Sequence, residues 1–310
     1  MRSDGFRVVS RGRLLQGLAF VTVTLVVFGS VTEAVLAHRG VPHARPTAPS
    51  PARTVSVVCR SPSLGGTMPA LVYLPSGYSS GRRYAAVYFL HGLPAGPASY
   101  QQNAFVAAAL ASAGQRAIVV TPQGARDANS DREYLDWDAA EDWPQAISHD
   151  LTACIDSRFH TIADRDGRAL VGLSAGGYGA MNIGLRNLDQ FGAVQSWSGY
   201  FVATNPAGTK ALTLGSPQAN GAARVPRGPQ LKSALQSLPT QIAFYVGLQD
   251  NRFLTMNRQY NGSLRRAGIS HIFHTYEGGH SPALWRSQAP RWLSWALRYL
   301  AAGRAVHTAR

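Results

Sequence analysis

Gly172-Leu173-Ser174-Ala175-Gly176-Gly177 is the stretch of this chain best suited to do chemistry. It has the form G-x-S-x-G, follows the strand-like run Arg168–Val171 and opens a helix-like stretch of small residues. In that context the pattern makes a tight strand-to-helix turn with a serine hydroxyl at its apex. Glycine at both flanks lets backbones approach where a Cβ would collide. The helix that follows aims unpaired N–H groups and the positive end of its dipole at the reacting oxygen. A Gly-rich turn with an incidental serine is the bland alternative; the buried strand before Ser174 and the small-residue helix after it favour a nucleophile.

A serine hydroxyl needs a base. In this topology an acid and then a histidine follow the serine along the chain. His271 and His274 lie in a strand-like run and read as structural. His280 lies in Gly278-Gly279-His280-Ser281-Pro282, a loop before the last helix, and is expected as the base. Asp250, in the loop after the run Ile242–Val246, is expected as the orienting acid; a helix N-cap is its competing reading. Glu277 is too close to His280 in sequence, and Asp189 reads as surface. Such a set performs nucleophilic acyl transfer. It also needs two backbone N–H groups aimed at the developing oxyanion. Ala175 is expected to supply one. Leu93 supplies the other, from the loop His91-Gly92-Leu93-Pro94, in which His91 reads as structural.

The elements that must hold these residues alternate along the chain. Strand-like runs are Thr54–Cys59, Leu71–Leu74, Tyr84–Leu90, Ala117–Thr121, Ala169–Leu173, Ala193–Trp197, Ile242–Val246 and His271–Tyr276. Helix-like runs are Asn103–Ala113, Trp143–Phe159, Gly176–Leu185, Phe253–Ala267 and Ala283–Leu300. Several strand runs are continuously apolar, as strands buried on both faces are. The alternation predicts an α/β fold with a mostly parallel central sheet and helices on both faces. One stretch breaks the rhythm. Phe201–Leu238 is rich in Gly, Pro, Ala and Asn and is expected to be a lid that governs substrate choice.

Composition narrows the partners. Lys+Arg total 30 against 16 Asp+Glu, a formal charge of +14. All the basic residues but Lys210 and Lys232 are Arg, spread without a basic block or an aromatic-interleaved strip, so no nucleic-acid partner is expected. The excess reads as a basic surface, compatible with attraction to an anionic envelope. Arg2, Arg7, Arg11 and Arg13 precede the uncharged apolar run Leu14–Val31, and Val35-Leu36-Ala37 offers small residues at cleavage spacing. This reads as an export signal over 1–37. Cleavage after Ala37 gives a secreted protein; retention gives an anchor at the outer face of the cytoplasmic membrane. Residues 38–54 read as a Pro-rich linker, 55–302 as the folded domain and 303–310 as a basic tail. Export would permit a Cys59–Cys154 disulfide; two buried thiols are the alternative. No cofactor motif is seen, and His91, His149 and His160 are scattered without metal-ligand spacing.

With these residues in place, the chain resembles the esterase D-like, putative-esterase family of α/β-hydrolases. That family includes feruloyl and acetyl xylan esterases and has the mycolyltransferases as relatives. The resemblance spans about Val55 to Leu300 and rests on FLHGLP at 89–94, RALVGLSAGGYGAM at 168–181, YVGLQD at 245–250 and YEGGHSPALW at 276–285. It implies the α/β-hydrolase fold, Ser174 as nucleophile, Asp250 as acid, His280 as base, donors at Leu93 and Ala175, and no cofactor. His91-Gly92-Leu93 departs from the Asp-Gly-Leu loop of the mycolyltransferase branch, and Asp250 from its Glu acid.

The reading is an exported serine esterase acting on a small-molecule or envelope-borne ester, such as one on a polysaccharide. The alternatives are an acyltransferase using the same acyl-serine and a non-catalytic envelope-binding protein. Tyr200, Trp197, Trp285 and the segment 201–238 are candidates for the substrate pocket wall; ordinary packing is the competing reading. Because a protonated His280 cannot accept the Ser174 proton, activity is expected to rise with pH.

Overall fold

The computed structural model describes residues 52–125, 133–205 and 209–308. They belong to the larger of two units into which the chain divides, Ala48–Arg310. The export signal expected over 1–37 and nearly all of the linker lie outside the described residues. Arg53 and Thr54, expected at the end of the linker, already pair in the first strand.

Eight strands form one sheet: β1 (Arg53–Ser61), β2 (Gly66–Leu74), β3 (Ala86–Leu90), β4 (Ile118–Pro122), β5 (Arg168–Leu173), β6 (Ala193–Trp197), β7 (Gln241–Gly247) and β8 (Ile272–Tyr276). Their spatial order is β1-β2-β4-β3-β5-β6-β7-β8. The β1–β2 and β2–β4 pairs are antiparallel and the remaining pairs parallel. Every residue of β3, β4 and β6 is buried, which is why their sequences carry no polar alternation. The helices are α1 (Ala104–Ser112), α2 (Trp143–Gln145), α3 (Thr152–Arg158), α4 (Ala175–Gly184), α5 (Pro217–Ala222), α6 (Pro229–Ser237), α7 (Leu254–Arg266) and α8 (Pro282–Thr308). A π-helical stretch, Ala146–Leu151, joins α2 to α3 within the one expected helix.

The sheet separates two cores. On one face α1 and α8 pack Val106, Leu110, Trp292 and Leu293 against Val87, Phe89 and Val171. On the other, Ile147, Ile155, Tyr178, Met181, Tyr260 and Leu264 pack against Tyr88, Leu170 and Phe244. Helices therefore cover both faces, as the alternation predicts. Cys59 of β1 and Cys154 of α3 form a disulfide with their Cα atoms 5.8 Å apart and a sequence separation of 95. A bridge closing so long a loop typically stabilises by about 2–4 kcal/mol. Residues 303–308, expected as a tail, instead continue α8.

The chain order turns around at β3, with β4 on one side and β5 on the other. In an open parallel sheet that point leaves a crevice beyond the strand C-termini, where ligands bind. The loops after β3, β5, β7 and β8 all leave from that end.

Candidate active site

Ser174 follows β5 with φ 53° and ψ −119°, in the left-handed half of backbone space. A non-glycine residue held there is strained, and such strain persists where the surrounding structure imposes it. The sequence around it explains how. A Cβ on Gly172 would run into the carbonyl of Gly176, and one on Gly176 into the carbonyl of Leu90 in β3. Only glycine lets the turn close and lets α4 start against the sheet. Ser174 N–H donates to Trp197 O at 2.9 Å, which ties the apex to β6.

His280 comes to the serine because the loops after β7 and β8 are fastened to each other. Leu248 N–H donates to Tyr276 O at 2.7 Å and Gln249 N–H to Gly278 O at 3.0 Å. Gly278 has φ 115°, which L side chains rarely adopt, and a Cβ on Gly247 would strike its carbonyl. The result is a continuous polar chain. His280 Nε2 is 3.0 Å from Ser174 Oγ, and His280 Nδ1 is 2.9 Å from Asp250 Oδ2. Asp250 is fully buried. Its other oxygen accepts from the N–H groups of Arg252 at 3.2 Å and Phe253 at 3.1 Å. Both readings of Asp250 thus hold together: it organises the turn before α7 and faces the histidine.

The other acids and histidines are engaged elsewhere. Glu277 accepts from Gln249 Nε2 at 3.0 Å on the exposed side of the turn. The two ring nitrogens of His271 meet Ile269 O and Asn261 Oδ1, each at 2.8 Å. His274 is exposed on β8 with its ring 5.6 Å from that of Trp295. Among the described residues no group of three His, Cys, Asp or Glu is arranged to hold a metal.

The loop after β3 lies against the serine: a Cβ on Gly92 would sit 3.1 Å from Ser174 Cβ and 2.8 Å from Leu173 Cδ1. Leu93 follows directly and lines the same cleft as Ser174. Ala175 is the first residue of α4, so its N–H has no acceptor within the helix. His91 holds this loop from below. Gly124 N–H donates to its Nε2 at 3.0 Å, so Nδ1 carries the proton and donates to Gly92 O at 3.0 Å. Tyr134 O–H adds a bond to His91 O at 2.8 Å.

Burial pushes His91 below its ordinary value, against a smaller opposite effect of the Gly92 bond. The unfolded chain therefore takes up this proton before the folded chain does. The stability this group contributes is full above the unfolded value of about 6.5 and is lost as pH falls below it, by up to about 1.4 kcal/mol per pH unit. Gln can accept from Gly124 N–H without titrating. Urea unfolding between neutral pH and pH ~5 is expected to show a shallower acid loss in His91→Gln than in the wild type. An identical slope would assign the acid sensitivity to other groups.

Ser174, His280 and Trp285 open onto a cleft of about 280 Å³. Trp285 stands edge-on to His280, with centroids 5.0 Å apart, and its Nε1–H donates to Ser198 Oγ at 3.0 Å. Phe253 approaches the same imidazole at 5.2 Å. Ser198 itself is held at φ 48°. Neither Ser198 nor Phe253 was legible beforehand, since no motif marks them. Larger depressions, of about 480, 490 and 390 Å³, lie away from Ser174 and His280. The first is at the start of β7, the opposite end of the strands.

Two expectations about the wall are corrected. Tyr200 is only 3% exposed, stacks on Tyr178 at 5.2 Å, and donates to both oxygens of buried Glu133 at 2.6 and 2.7 Å. Burial, and then the Glu133 charge, raise its phenol well above the ordinary value. It belongs to the core, as does Trp197, which is fully buried between Phe89 and Trp292. The second correction concerns 201–238. None of its described residues lines the cleft. The segment carries α5 and α6 and is stitched to the helix layer: Tyr178 O–H donates to Ala223 O at 3.0 Å, Asn182 Nδ2 to Ala222 O at 3.0 Å, and Tyr260 O–H to Pro226 O at 2.7 Å. The wall comes instead from residues 91–94, from Ser99, Gln102, Asn103 and Phe105, and from Arg252, Pro282, Trp285 and Arg286.

Residues 61–295 match the family described as "Putative esterase". The chain is similar to Esterase MT1326 of Mycobacterium tuberculosis, with 26% identity over 235 residues, covering 67% of this chain and 51% of that protein. It is also similar to the MPT51/MPB51 antigen of Mycobacterium bovis, with 29% identity over 180 residues, covering 57% and 56%. The chain thus spans about half the length of the curated relatives it matches. Among solved structures, a ferulic acid esterase superposes with a TM-score of 0.68 at 23% identity, covering 80% of this chain and 99% of that one. At that identity the superposition speaks for the α/β-hydrolase fold.

Proposed function

The chain belongs to the putative esterase family, and on that premise we propose that it is an exported serine esterase that cleaves carboxylic esters through an acyl-serine. One observation carries this reading: the chain of contacts from Ser174 Oγ through His280 to buried Asp250. His280 Nε2 takes the Ser174 proton as Oγ attacks the ester carbonyl. The N–H groups of Leu93 and Ala175 hold the oxyanion of the tetrahedral intermediate. As it collapses, the alcohol leaves with the proton from His280. Water then gives a proton to His280 and attacks the acyl carbon, and the acid departs as Ser174 recovers its proton. Asp250 keeps the Nδ1–H tautomer and stabilises the imidazolium in both halves. Trp285 supports the wall against which the substrate lies.

A cleft of about 280 Å³ sits near the lower end of the range for small-molecule sites, which favours a compact ester. The Cys59–Cys154 bridge supports export, since such bonds persist in oxidising compartments. So does the Arg-flanked apolar run at the N-terminus.

The test is labelling with a fluorophosphonate, followed by product analysis on short-chain esters with and without glycerol. Modification at Ser174 and release of free acid are expected in both conditions. Acyl-glycerol as the main product would replace hydrolysis by acyl transfer. An unreactive Ser174 in folded protein would leave only the binding role.

A further inference from the structure

We propose that the end of the sheet remote from Ser174 binds an anionic lipid. Its phosphate lies among Arg82, Arg83 and Arg116, and its chain lies in the apolar hollow beside them. This second site is independent of the esterase reading.

Two hollows adjoin at that end, of about 390 and 490 Å³, and Gly114, Gln115 and Arg116 line both. The smaller is basic, with Arg82, Arg83 and Arg116 in its wall beside Tyr84 and Ala85, just before β3. The larger lies between the end of β2 and α1, and Leu74, Pro75, Ala107, Leu110 and Ala111 make it apolar. Strands β3, β4 and β5 run parallel and Ser174 follows the C-terminal end of β5, so both hollows lie at the other end of the strands. β1 and β4 are each antiparallel to β2, so the chain enters the domain at Arg53 on that same end. A domain seated there on a bilayer turns Ser174 away from it.

Arg53, Arg82, Arg83 and Arg116 are exposed. Arg83 Nη1 donates to Thr161 O at 2.9 Å, and Arg82 lies 5.5 Å from the Tyr84 centroid. Those contacts aim the guanidinium groups without neutralising them. Among the described residues none of the four pairs with a carboxylate, and no Asp or Glu lines either hollow. On the neighbouring loop Asp164 caps its own turn and Asp166 pairs with Arg165 at 3.1 Å. The last carbonyls of α1 would repel an anion, but those of Ala109, Leu110 and Ala111 accept from the N–H groups of Ala113, Gln115 and Gly114. Guanidinium forks match phosphate oxygens, and a basic surface is drawn to anionic lipid. A free phosphate would use only the basic hollow and a neutral lipid only the apolar one; an anionic lipid uses both.

The experiment titrates the exported protein calorimetrically with octyl phosphate below its micelle concentration, with octanol and with inorganic phosphate. Octyl phosphate carries both parts of the ligand and no carboxylic ester. It is expected to bind at least about tenfold tighter than either other probe. An exposed ion pair contributes about two- to fivefold, so Arg82→Gln/Arg83→Gln/Arg116→Gln should weaken it by about ten- to a hundredfold. If that variant unfolds through loss of the Arg83 bond, Arg82→Gln/Arg116→Gln keeps the bond and should still cost about four- to twenty-five-fold. Ala108→Gln, which fills part of the apolar hollow, should weaken octyl phosphate severalfold and leave inorganic phosphate unchanged. Flotation with phosphatidylcholine vesicles, with and without phosphatidylglycerol, tests the bilayer as source. Recovery should rise with phosphatidylglycerol, less so in the Arg variants. The gain should fade between about 0.1 and 1 M salt, where the Debye length drops from about 10 to about 3 Å.

Equal affinity for octyl phosphate and inorganic phosphate leaves a bare oxyanion site and overturns the proposal. So does equal affinity for octyl phosphate and octanol, or binding that survives unchanged in the Arg variants. A phosphatidylglycerol gain that is absent, or equal in wild type and Arg variants, overturns the lipid assignment. These readouts hold whether or not Ser174 is reactive, and fluorophosphonate labelling reports on the esterase reading separately.

Discussion

Ser174→Ala is expected to lower kcat for para-nitrophenyl acetate by about a million-fold while the protein stays folded. The size follows from what the hydroxyl does. Without Oγ no acyl-enzyme forms, and His280 loses the partner whose proton it takes. What remains is binding and oxyanion stabilisation, together worth about 10³–10⁴-fold over water. Stability should change little. Ala has the same Cβ as Ser, so it meets the same φ of 53° and the same neighbours. The Ser174 backbone bonds to Trp197 and Tyr178 do not involve the side chain. Turnover is read against thermal unfolding of the same preparation. A folded variant within tenfold of the wild type would remove Ser174 from the chemistry.

Asp250→Asn is expected to cost about 10⁴-fold in kcat. The reason is a tautomer, fixed by bonds on the far side of the carboxyl. Oδ1 accepts from the N–H groups of Arg252 and Phe253, and only an oxygen can fill that position. An Asn there must turn its NH₂ toward His280. Nδ1 then becomes an acceptor, Nε2 carries the proton, and the ring offers Ser174 Oγ a donor where it needs a base. Glu277→Gln serves as the control. Glu277 meets Gln249 and not His280, so its loss should stay within about twofold, as for an exposed pair. The reverse ranking of the two variants would move the acid role to Glu277.

The residues proposed to react were readable because their roles need particular types at particular turns. Ser174 sits between glycines that the turn cannot do without. Asp250 and His280 sit just past the ends of consecutive parallel strands, β7 and β8. β3 was readable because burial on both faces leaves an unbroken apolar run, AVYFL. The wall was less readable. Tyr200 and Trp285 look alike in sequence, each an aromatic residue close to a catalytic element. Their fates diverge because Glu133, far away in the chain, draws the Tyr200 hydroxyl inward, while Ser198 holds Trp285 at the cleft. The composition of 201–238 suggested a lid for want of any local sign of its anchors. Those anchors are side chains on α4 and α7 that capture its backbone carbonyls. Composition shows that a segment is irregular; it does not show which side of the sheet the segment lies on.

The Cys59–Cys154 bridge also determines how the domain bears mechanical load. Tension applied at Arg53 enters β1, an edge strand whose only sheet neighbour among the described residues is β2. A hydrogen-bonded ladder at an edge peels rung by rung, beginning here with Arg53↔Leu74. The peel is arrested at Cys59, where a covalent link carries load into α3. The last rungs, Arg60↔Thr67 and Ser61↔Gly66, then share the load with that link, and Ser61 is held besides by its 2.7 Å bond to Asp150. Between β1 and the strand that carries Ser174 stand β2, β4 and β3. A chain tugged at Arg53 therefore frays at its margin and keeps the strand that carries Ser174 in register.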